Sequence, residues 1–158
     1  MDGVPFILTF AAALGSALNA GLFFIFSVCI MAALARLAPA EGIRAMQSIN
    51  RVIINALFMA VFMGSALLSA VLVTVAVLQW ETPGVGWALA GGIVYLVTSI
   101  GVTMIVNVPL NNQIERTDAD SAEGQALWAR YLDVWTKWNH VRSVGTLVST
   151  GLFIAALI

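Results

Sequence analysis

His140, the only histidine in the chain, sits between Asn139 and Arg142, just ahead of an uncharged C-terminal stretch at 143–158. Histidine gains and loses a proton near neutrality, so it can act as a general acid or base. Asn139 and Arg142 beside it are donors suited to a negative charge. Two further sets carry the same chemistry: Gln47, Asn50, Arg51 and Asn55, and then Asn107, Asn111 and Asn112. All three are rich in amides and guanidinium and poor in carboxylates. Between residues 52 and 114 the one acid is Glu81. Donors without acidic partners favour an anionic ligand, or an anion that develops during a reaction. A cation or proton pump would want embedded Asp or Glu. One histidine, one distant cysteine (Cys29) and no embedded acid do not make a three-ligand metal site within one chain. Neither a metal nor another cofactor is expected.

The elements that must position these residues are set by hydropathy. Of the 158 residues, 61% are hydrophobic and 9% charged, whereas a soluble domain carries about 25% charged residues. The chain therefore reads as an integral membrane protein. The stretches 3–35, 52–80 and 82–114 are free of charge, and each is long enough to span once. The tail at 143–158 is not. At about 1.5 Å per residue it falls short of the roughly 30 Å of hydrocarbon. The last span must borrow from 138–142, which draws Asn139 and His140 toward membrane depth. The expected fold is all-α, a single integral membrane four-helix bundle with spans at about 5–35, 52–79, 85–108 and 139–158. Helices 2 and 4 are expected to extend on the cytoplasmic side, through segments at about 36–51 and 112–138.

Charge placement gives the orientation. Arg36, Arg44 and Arg51 fall between the first two spans, and Arg116, Arg130, Lys137 and Arg142 between the last two. The positive-inside rule puts both segments in the cytoplasm and both termini on the other side. A bacterial inner membrane is the expected location and the lipid bilayer the first partner. A net charge of −1 gives no reason to expect nucleic acid. Ala13, Ala17 and Gly21, four residues apart, would let another helix approach closely, in this chain or in a homo-oligomer.

Local signals refine the picture. Pro39 suits a first helical turn, and helix 2 is expected to run from 40 to 79, with only the part after Arg51 continuously apolar. Residues 79–84 read as a tight external turn. Pro109 is expected to kink or end helix 3 around 107–109. Asp120 with Glu123 resembles a capping box that opens helix 4. Trp128, Tyr131, Trp135, Asn139 and Arg142 then share one helical face. Helix 4 is either straight or bent, with its aromatic half lying along the surface. The amides of helices 2, 3 and 4 reach one level, with Ser27 and Cys29 of helix 1 nearby. A polar cavity open to the cytoplasmic interface explains the whole set. Taken singly, each residue also suits a helix cap or a headgroup anchor.

The ordered motifs carry a resemblance. They are Asn19-Ala20-Gly21-Leu22-Phe23-Phe24-Ile25-Phe26-Ser27, Ala45-Met46-Gln47-Ser48-Ile49-Asn50, Asn107-Val108-Pro109-Leu110-Asn111, and Trp135-Thr136-Lys137-Trp138-Asn139-His140-Val141-Arg142. In this order they resemble the anthrone oxygenase-like family of small four-helix membrane proteins. The resemblance implies a cofactor-free monooxygenase, in which a base removes an acidic C–H and the enolate reacts with dioxygen. It assigns the base to His140, the enolate charge to Arg142 and Arg51, and the ketone and phenol oxygens to Asn50, Asn111 and Asn139. Tyr131 and Trp135 would stack the flat rings, with Gln47 and Asn107 completing the substrate site. The partner so implied is a lipophilic aromatic small molecule that arrives through the bilayer. Two other readings use the same residues: a binding or transport protein for a lipophilic anion, and a structural membrane subunit that presents the small-residue stripe of helix 1.

Overall fold

The computed structural model describes residues 3–158. Among them there are helices and connecting turns but no strands. Four helices are long and apolar enough to cross a membrane: α1 (Gly3–Leu34), α3 (Ala56–Leu78), α4 (Val85–Glu115) and α5 (Ala122–Leu157). A shorter helix, α2 (Pro39–Ile53), lies between the first two. In the bundle α1 packs on α5, α5 on α4, α4 on α3, and α3 back on α1.

The bundle is apolar outside and partly polar within. Leu18, Leu57, Leu67, Val97, Ile105 and Leu147 are exposed on its outer faces, while Thr9, Ser16, Asn19, Ser65, Ser69, Ser99, Thr146 and Ser149 are buried. That inversion fits a lipid surround, where some buried hydroxyls and amides bond across helix interfaces. Ser16 Oγ donates to Thr146 O at 2.9 Å. Ser149 Oγ donates to Gly91 O at 2.8 Å. Asn19 Nδ2 donates to the Tyr95 hydroxyl at 3.1 Å, which donates on to Phe62 O at 3.2 Å. These bonds link α1 to α5, α5 to α4, and α1 through α4 to α3. The helix-1 stripe of the sequence reading is not the packed face within this bundle. Ala13 is buried, but Ala17 and Gly21 are exposed, and the packed face runs through Ala12, Ser16, Asn19, Ala20 and Phe23.

Wide turns redirect two of the helices. In α1 a π-turn at Phe26–Ile30 inserts one residue, and the Met31 N–H reaches back to Phe26 O. The buried face therefore steps from Phe26 to Met31, and Cys29 is left exposed. In α4 two π-turns, Leu96–Gly101 and Thr103–Asn107, precede Pro109. The Val108 N–H donates to Thr103 O, five residues back. Of the kink or end that the sequence suggests at Pro109, the end does not occur. The helix widens ahead of the ring, which relieves the clash with the preceding turn, and continues to Glu115.

Helix 2 of the sequence reading is two helices. The chain breaks at Ile54-Asn55, and Asn55 caps α3 by accepting from the Phe58 N–H at 3.0 Å. Its Nδ2 donates to Val52 O at 3.1 Å, closing the end of α2. One amide thus satisfies both helix ends. Asn55→Ala is expected to lower stability by about 1 kcal/mol, read from reversible unfolding in mixed micelles; an unchanged unfolding curve would remove the cap from this account.

Helix α5 is one continuous run of 36 residues, about 54 Å long at 1.5 Å per residue. Its cap is Ser121 rather than Asp120, with Oγ accepting from the Gly124 N–H at 2.9 Å. Asp120 instead pairs with Arg44 on α2. At the other end of the bundle Gly84 opens α4 with φ +79°, and a Cβ there would lie 2.5 Å from Ala156 O. Only glycine suits both the dihedral and the contact.

Beyond the four-helix part, α2 covers the first half of α5 and the end of α4. Ile43 and Met46 bury themselves against Leu110, Ile114, Trp128, Tyr131 and Trp135. Gly42 sits so close under the Trp128 ring that a Cβ would be 2.7 Å from it. The three aromatic rings of α5 form a ladder, with centroids 5.6 Å and 5.8 Å apart and planes within 19° of parallel.

Candidate functional site: an amide- and arginine-lined cavity

Where α2, α3, α4 and α5 diverge beside the end of α1, they enclose a cavity of about 460 Å³. Most of its wall is soft and apolar. Met46, Met59, Met63 and Met104 line it, as do Phe23, Phe26, Phe58, Phe62 and Trp135. Met59, Met63 and Met104 are also exposed on the outside of the bundle. The mouth therefore lies on an apolar face between α3 and α4. Methionine and phenylalanine walls suit a flat, lipophilic guest, because thioethers adapt in shape and rings stack.

The polar part of the wall comes from α2, α4 and α5. Asn50, Arg51, Asn107, Asn111, Asn112, Glu115, Asn139 and Arg142 all line the cavity. Most of the sequence-proposed residues thus converge, from helices far apart in the chain. Their bonding differs. Asn139 Nδ2 is fixed by Phe23 O and Ser27 Oγ, both at 2.8 Å. Asn107 Nδ2 donates to Trp135 O at 3.3 Å. The acceptor oxygens of both amides are buried and have no partner among the described residues. Asn111 Oδ1 accepts from the Tyr131 hydroxyl at 2.7 Å and from Trp135 Nε1 at 2.8 Å. The Asn50 amide approaches the Tyr131 hydroxyl without the geometry of a hydrogen bond.

The two arginines have different surroundings. Arg51 is exposed at the rim, and its Nε donates to Glu115 Oε1 at 2.7 Å. Arg142 is 7% exposed, with its guanidinium 3.8 Å from the centroid of the Phe23 ring. Among the described residues no carboxylate pairs with it, and its Nε lacks any hydrogen-bond partner. A ring face offsets a buried cation by about 0.5–2 kcal/mol. Burying the charge costs several kcal/mol, so the site is set to receive a negative charge.

Three of the proposed residues fall outside the cavity wall. His140 is exposed and does not line the cavity. Consecutive helical residues are about 100° apart, so the turn that buries Asn139 sends His140 outward. Gln47 caps the end of α4 instead, donating to Ile114 O at 2.9 Å and Thr117 O at 3.1 Å. Tyr131 is fully buried behind the wall, where it orients Asn111. Sequence reasoning did not propose Glu115 as a site residue and missed the methionine wall. Glu115 sits four residues after Asn111, a spacing that places both on one face.

The fold and cavity define a class: a small all-α protein of membrane type, holding an internal site of buried amides and an unpaired arginine. The sequence model of the family described as anthrone oxygenase matches residues 56–152, and the chain belongs to that family. The match spans α3, α4 and most of α5, which supply Thr103, Asn107, Asn111, Glu115, Trp135, Asn139 and Arg142. The first two motifs of the sequence reading, in α1 and α2, lie outside it. No curated protein and no solved structure matches the chain.

Proposed function

We propose that the protein binds a lipophilic phenolic ketone of the anthrone class in this cavity and oxygenates it through its enolate. The observation that carries the reading is Arg142: a buried guanidinium without a carboxylate, on the wall of a cavity open to an apolar face. An enolate oxygen supplies the missing charge, and the interaction strengthens as the anion forms. The unpartnered oxygens of Asn107 and Asn139 suit phenolic O–H donors. Trp135 and the phenylalanines bracket flat rings, and a guest dissolved in lipid enters past Met59, Met63 and Met104. Family membership supports the same substrate class. The clustering of basic residues in 36–51 and 116–142 supports a cytoplasmic placement of α2 and the aromatic half of α5, in a bacterial inner membrane.

Oxygen uptake by the purified protein in lipid nanodiscs tests this. With a hydroxylated anthrone, uptake is expected to exceed the rate in protein-free nanodiscs and to yield the quinone. Uptake equal to that background, with no bound anthrone or quinone, would refute the proposal. Because His140 faces away from the cavity, His140→Ala is expected to turn over at the wild-type rate. A His140→Ala enzyme that binds substrate but does not oxidise it would return the base to that imidazole.

A further inference from the structure

With His140 outside the cavity, the reaction lacks a group to take the substrate proton. Among the described residues Glu115 is the only carboxylate that lines the cavity, and no histidine, cysteine, tyrosine or lysine lines it. Its side chain is held from one side only. Arg51 Nε binds Oε1 at 2.7 Å, while Oε2 takes no hydrogen bond within the described chain. One oxygen is anchored and the other is left with free lone pairs at the cavity rim. That is the arrangement a positioned general base needs.

We infer that Glu115, oriented by Arg51 at the rim of the cavity, is the catalytic base. The inference rests on the anthrone reading of the site. In the first step the C–H bond at the carbon opposite the ketone breaks. Its proton goes to Glu115 Oε2, and its electron pair enters the ring system as the enolate that Arg142 faces. The enolate reduces dioxygen and a C–O bond forms, giving a peroxide anion that takes the proton back from Glu115. Glu115 then removes the second proton from the same carbon. The O–O bond breaks, hydroxide leaves and is protonated to water, and the carbon becomes a carbonyl. One oxygen atom enters the substrate, the other leaves as water, and dioxygen is the only oxidant. Arg51 is a positioning residue in this scheme, because it acts through the carboxylate.

The test compares wild type with Glu115→Gln, Glu115→Asp and Glu115→Ala in nanodiscs. Quinone binding is read by fluorescence and turnover by oxygen uptake. Glu115→Gln is expected to bind the quinone as tightly as wild type and to lose about 100-fold or more in turnover. Glu115→Asp, which keeps a carboxylate, should retain part of the rate. Added acetate or formate should restore turnover in Glu115→Ala, a response that a purely structural role would not give. Wild-type turnover in Glu115→Gln would overturn the assignment and leave the anthrone reading intact. So would joint loss of binding and turnover in both Gln and Ala variants without rescue by acetate. Wild-type protein that binds neither anthrone nor quinone would instead sink the reading on which the assignment depends.

Discussion

Arg142→Met is expected to cut anthrone turnover by about 10²–10³-fold, the loss typical of removing one donor from a developing oxyanion, while making the protein more resistant to thermal unfolding. Both effects come from the same burial. The guanidinium lies against Phe23 and has no carboxylate partner, so the free protein carries a desolvated charge that only a ring face offsets. A methionine of similar length removes that charge and still packs among Phe23, Phe26 and Trp135. Turnover falls because the enolate loses its counter-charge at the moment the charge forms. Steady-state oxygen uptake and a melting curve in the same nanodiscs check the pair. Loss of stability with loss of activity would mean that Arg142 holds the bundle together and would remove it from the oxyanion role. Arg142→Lys tests geometry: it keeps the charge but loses the planar fork, and partial turnover is expected.

Asn111→Leu is expected to destabilise the protein more than any other single change in the cavity wall, by about 2–6 kcal/mol. Asn111 Oδ1 accepts from two buried donors at once, the Tyr131 hydroxyl and Trp135 Nε1. Leucine leaves both donors unsatisfied, at about 1–3 kcal/mol each. Tyr131 is fully buried and Trp135 is 4% exposed, so water cannot easily replace the lost acceptor. Tyr131→Phe in the Asn111→Leu background should recover part of the loss, because it removes one orphaned hydroxyl. A double-mutant cycle on equilibrium unfolding measures this coupling. Additive losses would show that the two groups find other partners and that the bifurcated bond is not a keystone of the ladder.

The aromatic ladder was legible in the sequence and the fate of its neighbours was not. Trp128, Tyr131, Trp135, Asn139 and Arg142 recur at steps of three and four, which in any α-helix places them on one face. The structure buries all five. Residue type suggested chemistry at His140, while its helical angle, one step past Asn139, places it outside the cavity wall. Asn55 was read as one more polar group at the membrane entry. It breaks the helix, and no glycine or proline marks the place. Arg51 and Arg142 look equivalent on paper. One finds Glu115 across a gap of 64 residues and the other finds only a phenyl ring.

Hydropathy and helical period, which act over a few turns, were enough by themselves to specify four lipid-compatible helices and the inward face of the last one. Which amides meet, which arginine stays unpaired and which carboxylate reaches the cavity depended on how α2 folds back over α4 and α5. Those are contacts between residues far apart in the chain. They are set by the packing of whole helices, so no local stretch of the sequence encodes them.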